Sequence, residues 1–212
     1  MKKALVLVQG INHGLYLKDA LTEVDFHFND YDEVVEVPTE AIFDGNKGII
    51  ESKFNLWDWV GDAYQFYAYS FRRREVCKLT RKYILDLQNQ GFQVDALAHS
   101  LGCQILICCG SQKSSKGQIK LENTILLAPP MGLGFVTLRA WIRSHAKKFS
   151  KNFYSRKLEY YWSKEDFISK IYDNKVNTLI DNLSYEHANH STNTDHSVQD
   201  FYHYIKSNTR NV

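Results

Sequence analysis

No stretch of this 212-residue chain is apolar for long enough to cross a membrane as a helix, and charge of one sign is not in excess. Lys and Arg number 26 against 24 Asp and Glu, a net charge of +2, so no global field argues for a nucleic-acid partner. Met1-Lys2-Lys3 followed by Ala4-Leu5-Val6-Leu7-Val8 imitates the start of a secretory leader, but the apolar run stops at Gln9-Gly10 and no small-residue cleavage site follows. Cysteine is sparse, at 4, and Cys103, Cys108 and Cys109 crowd into one segment, with Cys77 apart. Adjacent Cys108 and Cys109 suit neither a disulfide nor a zinc site, so buried free thiols and a cytoplasmic location are expected. Proline is rarer still, at 3, and the length fits one domain spanning 1–212. What is plentiful is tyrosine, 13 residues, which suits a half-wet core or a surface groove.

The most informative stretch is Val94-Asp95-Ala96-Leu97-Ala98-His99-Ser100-Leu101-Gly102-Cys103-Gln104-Ile105-Leu106-Ile107. Val94, Ala96 and Ala98 alternate as in a strand, whereas Ile105, Leu106 and Cys108/Cys109 recur at helical spacing. Ser100 therefore falls on a strand-to-helix corner. So sharp a corner strains the backbone at the Ser and excludes large side chains two residues to either side, where Ala98 and Gly102 stand. The hydroxyl then lies above the carboxyl end of a sheet, with the Leu101 amide at the first turn of the helix aimed at the same space. An ordinary helix cap by Ser is the competing reading, and the presence of partners further along the chain decides between them.

Hydrophobic periodicity divides the remainder. Lys3 to Val8 reads as a buried parallel strand ending in the glycine-flanked turn Gln9-Gly10-Ile11-Asn12-His13-Gly14. Leu15 to Phe28 reads as a helix, Asp30-Tyr31-Asp32 as a loop, and Glu33 to Val37 as the second strand. Residues 39 to 60 are poorly patterned around Leu56-Trp57-Asp58-Trp59, and Asp62 to Gln90 is a long helical stretch closed by Gly91. Arg72-Arg73-Arg74 reads as a solvated face. Asn123 to Ala128 is the fourth strand, ended by Pro129-Pro130, and Lys157 to Trp162 the fifth. Between them, after Met131-Gly132-Leu133-Gly134, lies an aromatic and basic helix bearing Trp141, Phe149, Arg139, Arg143 and Lys147. The terminal segment from Ser184 carries His187, His190 and His196 in a loop before a helix with Val198, Phe201, Tyr202 and Ile205 on one face, and His203 inside it. No acid–histidine spacing there matches a zinc motif, so neither metal nor cofactor is expected.

Ala98-His99-Ser100-Leu101-Gly102 resembles the nucleophile elbow of the α/β-hydrolase superfamily, with Ala98 where Gly is usual and Gln9 where His is frequent. The resemblance runs over roughly residues 4 to 205. It implies an α/β fold: a three-layer α/β/α sandwich on a mainly parallel sheet of five to six strands, order 2-1-3-4-5. It implies a triad of Ser100, Asp166 and His196 in that chain order, with Glu165 and Asp173 as alternative acids and His187 and His190 as alternative bases. The oxyanion amides would be those of Leu101 and Ile11, with Asn12 the alternative to Ile11. Asn12, His13, His99 and Met131 are candidates for contacting substrate, although His13 reads first as a turn residue. Residues 131–157 would form a lid or cap, whose basic, aromatic character also suits peripheral contact with anionic lipid. The implied activity is hydrolysis of small-molecule carboxylic esters, lipid-like acyl esters among them, with no nucleic-acid partner and the oligomeric state left open. A thioesterase or peptidase with the same triad, or a degenerate hydrolase fold used as a binding module, are the alternatives.

Overall fold

The computed structural model describes residues 1–10, 16–37, 75–109, 117–129, 153–166, 184–194 and 197–209. Six strands, β1 (Lys3–Val8), β2 (Glu33–Glu36), β3 (Gln93–His99), β4 (Ile119–Leu127), β5 (Phe153–Ser163) and β6 (Ser184–Thr192), form one sheet in the order β2-β1-β3-β4-β5-β6. Every neighbouring pair is parallel. That is the expected order with one strand added at the outer edge. The described helices are α1 (Leu17–Glu23), α2 (residues 75–89), α3 (Leu101–Cys109) and α4 (Val198–Thr209).

A parallel sheet needs both faces covered, and two separate apolar clusters do this. On one face Val6, Val8, Ala96, Ala98 and Leu126 pack with Val76, Ile84 and Leu87 of α2 and Ile105 and Leu106 of α3. On the other, Leu5, Leu7, Leu97, Leu127 and Tyr161 pack with Leu17 and Leu21 of α1 and Val198 and Phe201 of α4. Alternate residues of β1 thus enter opposite clusters, as the two-residue period of a strand requires. None of the four cysteines is in a disulfide and all are buried, Cys103, Cys108 and Cys109 in α3 and Cys77 in α2.

Four expectations are corrected. Helix α1 is shorter than Leu15–Phe28. Asp25 adopts a left-handed φ of 56°, the Asp25 amide donates to Thr22 O at 3.1 Å and the Phe26 amide to Leu21 O at 3.0 Å, a double-bonded C-terminal cap that stops the helix despite the continuing apolar stripe. A short 3-10 turn, Phe28–Asp30, follows, running from the expected helix end at Phe28 to the first residue of the expected loop. Strand β5 begins at Phe153, which removes residues 153–157 from the proposed lid; Ser155 there is buried and its hydroxyl lies 2.8 Å from that of Thr124 on β4. The rest of that segment, with Met131, lies outside the described residues, as do Trp57, Trp59 and Arg72-Arg73-Arg74. Finally, Ser184–Thr192 is a strand, not a loop. An edge strand that is mostly exposed buries no apolar stripe, and Ser-Tyr-Glu-His-Ala-Asn-His-Ser-Thr carries none to read.

Candidate active site

Sheet order reverses at β1: the chain passes from β1 to β2 on one side and returns to β3 on the other. Ligand crevices in open α/β sheets form at the carboxyl ends of the strands flanking such a reversal. Val8 and Ala98 are partners in register, so Gly10 and Ser100 each lie two residues beyond the same rung. They meet there. A Cβ on Gly10 would fall 3.1 Å from the Ser100 Cβ and 2.7 Å from the Leu101 nitrogen.

Ser100 takes a left-handed φ of 53°, a conformation that costs a residue with a Cβ about 1–2 kcal/mol. The surroundings hold it there. Its amide donates to Leu127 O on β4 at 2.9 Å, and its own carbonyl accepts from the Cys103 amide at 3.0 Å in the first turn of α3. The Cys103 thiol, fully buried and therefore pushed up in pKa, lies 3.3 Å from both Ala98 O and Leu127 O. Gly102 seats α3 on β1, since any Cβ there would stand 2.0 Å from Val8 O. Ser100 is thus strained, clamped and placed at the amino end of a helix whose first residue is Leu101. His99, the last residue of β3, is half-buried beside it.

The carboxyl edge continues through backbone links. The Ala128 amide, itself on a residue with φ of 47°, donates to Tyr161 O at 2.9 Å, and the Lys164 amide to Thr192 O at 3.0 Å. Asp166 follows β5 on this same edge and is buried, at 7% exposure, whereas Glu165 is exposed. The turn that delivers it is organised by Ser163, fully buried, whose Oγ accepts from the Glu165 amide at 3.1 Å and the Asp166 amide at 3.4 Å. After β6, helix α4 is capped by Ser197: the Asp200 amide donates to Ser197 Oγ at 3.1 Å while that hydroxyl donates to Asp200 Oδ2 at 2.5 Å. His196 immediately precedes this cap in sequence; it lies outside the described residues, as do Ile11, Asn12, His13 and Asp173.

His187 and His190 are not loop residues. His190 stacks on the Tyr161 ring at 4.3 Å and its Nε2 lies 3.6 Å from Glu159 Oε2, on the α4 face of the sheet. Glu159 also receives the Tyr161 hydroxyl and Lys157 Nζ, each at 2.5 Å. Burial opposes its ionisation, but the hydrogen bonds from Lys157 and Tyr161 and the charges of Lys157 and His190 outweigh this and hold the carboxyl below its ordinary value of 4.5. A depressed carboxyl stabilises the fold above the ordinary value, and that stability is lost as pH falls through the folded-state value. Urea midpoints of wild type and Glu159→Gln are therefore expected to differ at neutral pH and to converge as pH drops well below 4.5.

No family model and no curated protein matches the sequence. Among solved structures, esterase PE8 superposes with a TM-score of 0.57 at 15% identity, over 100% of this chain and 93% of its own. The Pyrococcus furiosus esterase Pf2001 gives 0.53 at 14% identity, over 98% and 80%. An acetyl ester-xyloside bifunctional hydrolase from Caldicellulosiruptor lactoaceticus gives 0.52 at 10%, over 99% and 80%. The fold is that of the α/β-hydrolases. Within an α/β-hydrolase fold, the corner at Ser100 and the buried Asp166 occupy the carboxyl edge on which the expected chemistry depends. The bracing hydroxyls of Ser163 and Ser197 escape a reading by hydrophobic pattern, but both begin a Ser-x-x-Asp segment, which is the available signal. Among the described residues no group of His, Cys, Asp and Glu is placed to hold a metal ion, and no helix is long and apolar enough to cross a membrane.

Proposed function

We propose that the chain is a serine hydrolase of carboxylic esters, with Ser100 as nucleophile, His196 as general base and acid, and Asp166 as the carboxylate that orients the imidazole. One observation carries the reading: Ser100 is held at φ 53° where β3 turns into α3, with Gly10 and Gly102 in backbone contact on either side. Nothing in the packing of a surface cap calls for such strain, whereas a nucleophile that must stand clear of the sheet does. Superposition on esterases over nearly the whole chain supports the same class.

Proton accounting then assigns the roles. Ser100 Oγ attacks the acyl carbon as its proton passes to His196, and the tetrahedral oxyanion is held by the Leu101 amide and that of Ile11. His196 returns the proton to the departing alcohol, leaving an acyl group on Ser100. Water, deprotonated by His196, then releases the acid. The preferred substrates would be small or lipid-like acyl esters. A fluorophosphonate probe is expected to label the wild type, with loss of fluoride and the adduct mapped by mass spectrometry to Ser100. Absence of labelling in folded protein would remove the enzyme reading.

Gly10→Ala tests the corner from the β1 side. Its Cβ would meet the Leu101 nitrogen at 2.7 Å, so loop and elbow must part. Displacement of the order of 1 Å at an oxyanion donor costs on the order of 10- to 100-fold in rate. Steady-state hydrolysis of p-nitrophenyl acetate should show this in kcat.

A further inference from the structure

We propose that Thr192 is a positioning residue that sets the spacing between the acid corner and Asn193-Thr194, the residues that lead in sequence to His196, an inference that rests on the serine-hydrolase reading above. Thr192 is the last residue of β6 and only 3% exposed. Its carbonyl accepts from the Lys164 amide at 3.0 Å, within the turn Ser163–Asp166. Its hydroxyl donates to Trp162 O at 3.2 Å, on the residue before Ser163. On the other side the same oxygen lies 2.7 Å from Thr194 Oγ1 and 3.4 Å from the Thr194 amide.

A hydroxyl has one proton and two lone pairs. With its proton on Trp162 O, the Thr192 oxygen accepts both the Thr194 hydroxyl and the Thr194 amide, and its capacity is filled. One buried side chain therefore joins Trp162 of β5, two residues before Lys164 in the acid turn, to Thr194, two residues before His196 in sequence. Ser163 orders Asp166 relative to β5, and Ser197 orders the start of α4; Thr192 ties the first of these to Thr194, which precedes Ser197 by three residues in sequence. Its described partners, Trp162, Lys164 and Thr194, flank the acid turn and the approach to His196 in sequence, so its loss acts on turnover and not on ligand affinity.

The test uses a fluorophosphonate probe and three variants. Thr192→Val keeps the shape and the β-branched backbone preference but deletes the hydroxyl. It should lower the maximal labelling rate on the order of 10- to 100-fold while leaving the half-saturating probe concentration within about 2-fold. Thr192→Ser, which restores the hydroxyl, should recover most of that loss. Thr194→Val, which cuts the link from the loop side, should slow labelling in the same direction if Thr192→Val does not fold. Equal rates for wild type and either valine variant, or equal losses in Thr192→Val and Thr192→Ser, would overturn the positioning role alone. An unlabelled wild type would instead remove the serine-hydrolase reading beneath it.

Discussion

Ser100→Ala is expected to lower kcat for p-nitrophenyl acetate by on the order of 10⁶-fold, with the melting temperature close to that of wild type. The size follows from removing the atom that forms the covalent bond: in comparable triads loss of the nucleophile alone costs nearly as much as loss of all three members. Ser100→Ala combined with His196→Ala should therefore be no slower than Ser100→Ala alone. Additive losses would mean that the two residues do not act as a unit. Asp166→Asn should cost less than Ser100→Ala, roughly 10⁴-fold, by favouring the wrong imidazole tautomer. The same exchange at exposed Glu165 should leave the rate within a few-fold of wild type.

The same position separates activity from stability. Alanine keeps the Cβ and hence the strain at φ 53°. Ser100→Gly removes it, recovering about 1–2 kcal/mol against about 0.5–1 kcal/mol of added unfolded-state freedom. Ser100→Gly should thus be inactive and melt slightly above both Ser100→Ala and wild type, as a corner that stores strain for chemistry requires.

Sequence patterning reaches β1 and β3 because each buries an apolar run, β2 because Val34 and Val35 are half-buried one on each face, and the elbow because Ala98-His99-Ser100-Leu101-Gly102 combines small residues with a change of period. It also places Asp166 after the fifth strand, since Leu158, Tyr160 and Trp162 mark where that strand runs. It fails where apolar content is low. β6 lies at the edge of the sheet, with Tyr185 77% exposed, so its period of two is carried by polar side chains and reads as loop. The early start of β5 is hidden in the same way, since Arg156 and Lys157 separate Ser155 from Leu158, whereas β4 starts four residues before Asn123 on a legible alternation, Ile119 and Leu121 buried between Lys120 and Glu122. The hydroxyl braces at Ser163 and Ser197 are local and carry no apolar stripe, so only their Ser-x-x-Asp spacing marks them. Thr192 is illegible to pattern for another reason: its bond to Trp162 O spans 30 residues of sequence, which no window of neighbouring residues contains.

Gly102→Ala is expected to destabilise the fold by about 3 kcal/mol, and its sign decides how α3 sits on the sheet. In a helix open to solvent this exchange stabilises by up to about 1 kcal/mol, because Ala surpasses Gly in helix propensity. Here the new Cβ would stand 2.0 Å from Val8 O, 2.7 Å from Val8 C and 2.8 Å from Gln9 C. All three are backbone atoms, so no rotamer change relieves the contact. Val8 is fully buried and paired in register with Ala98, which leaves α3 to lift instead. Lifting loosens Cys103, Ile105 and Leu106, each fully buried in the α2/α3 cluster, and overpacking of this kind costs about 1–3 kcal/mol or more. In a chain of this length 3 kcal/mol corresponds to roughly 6–12 °C in melting temperature. A thermal melt of Gly102→Ala at or above wild type would show that α3 does not rest on the end of β1, and the approach of Gly10 to Ser100 would lose its support.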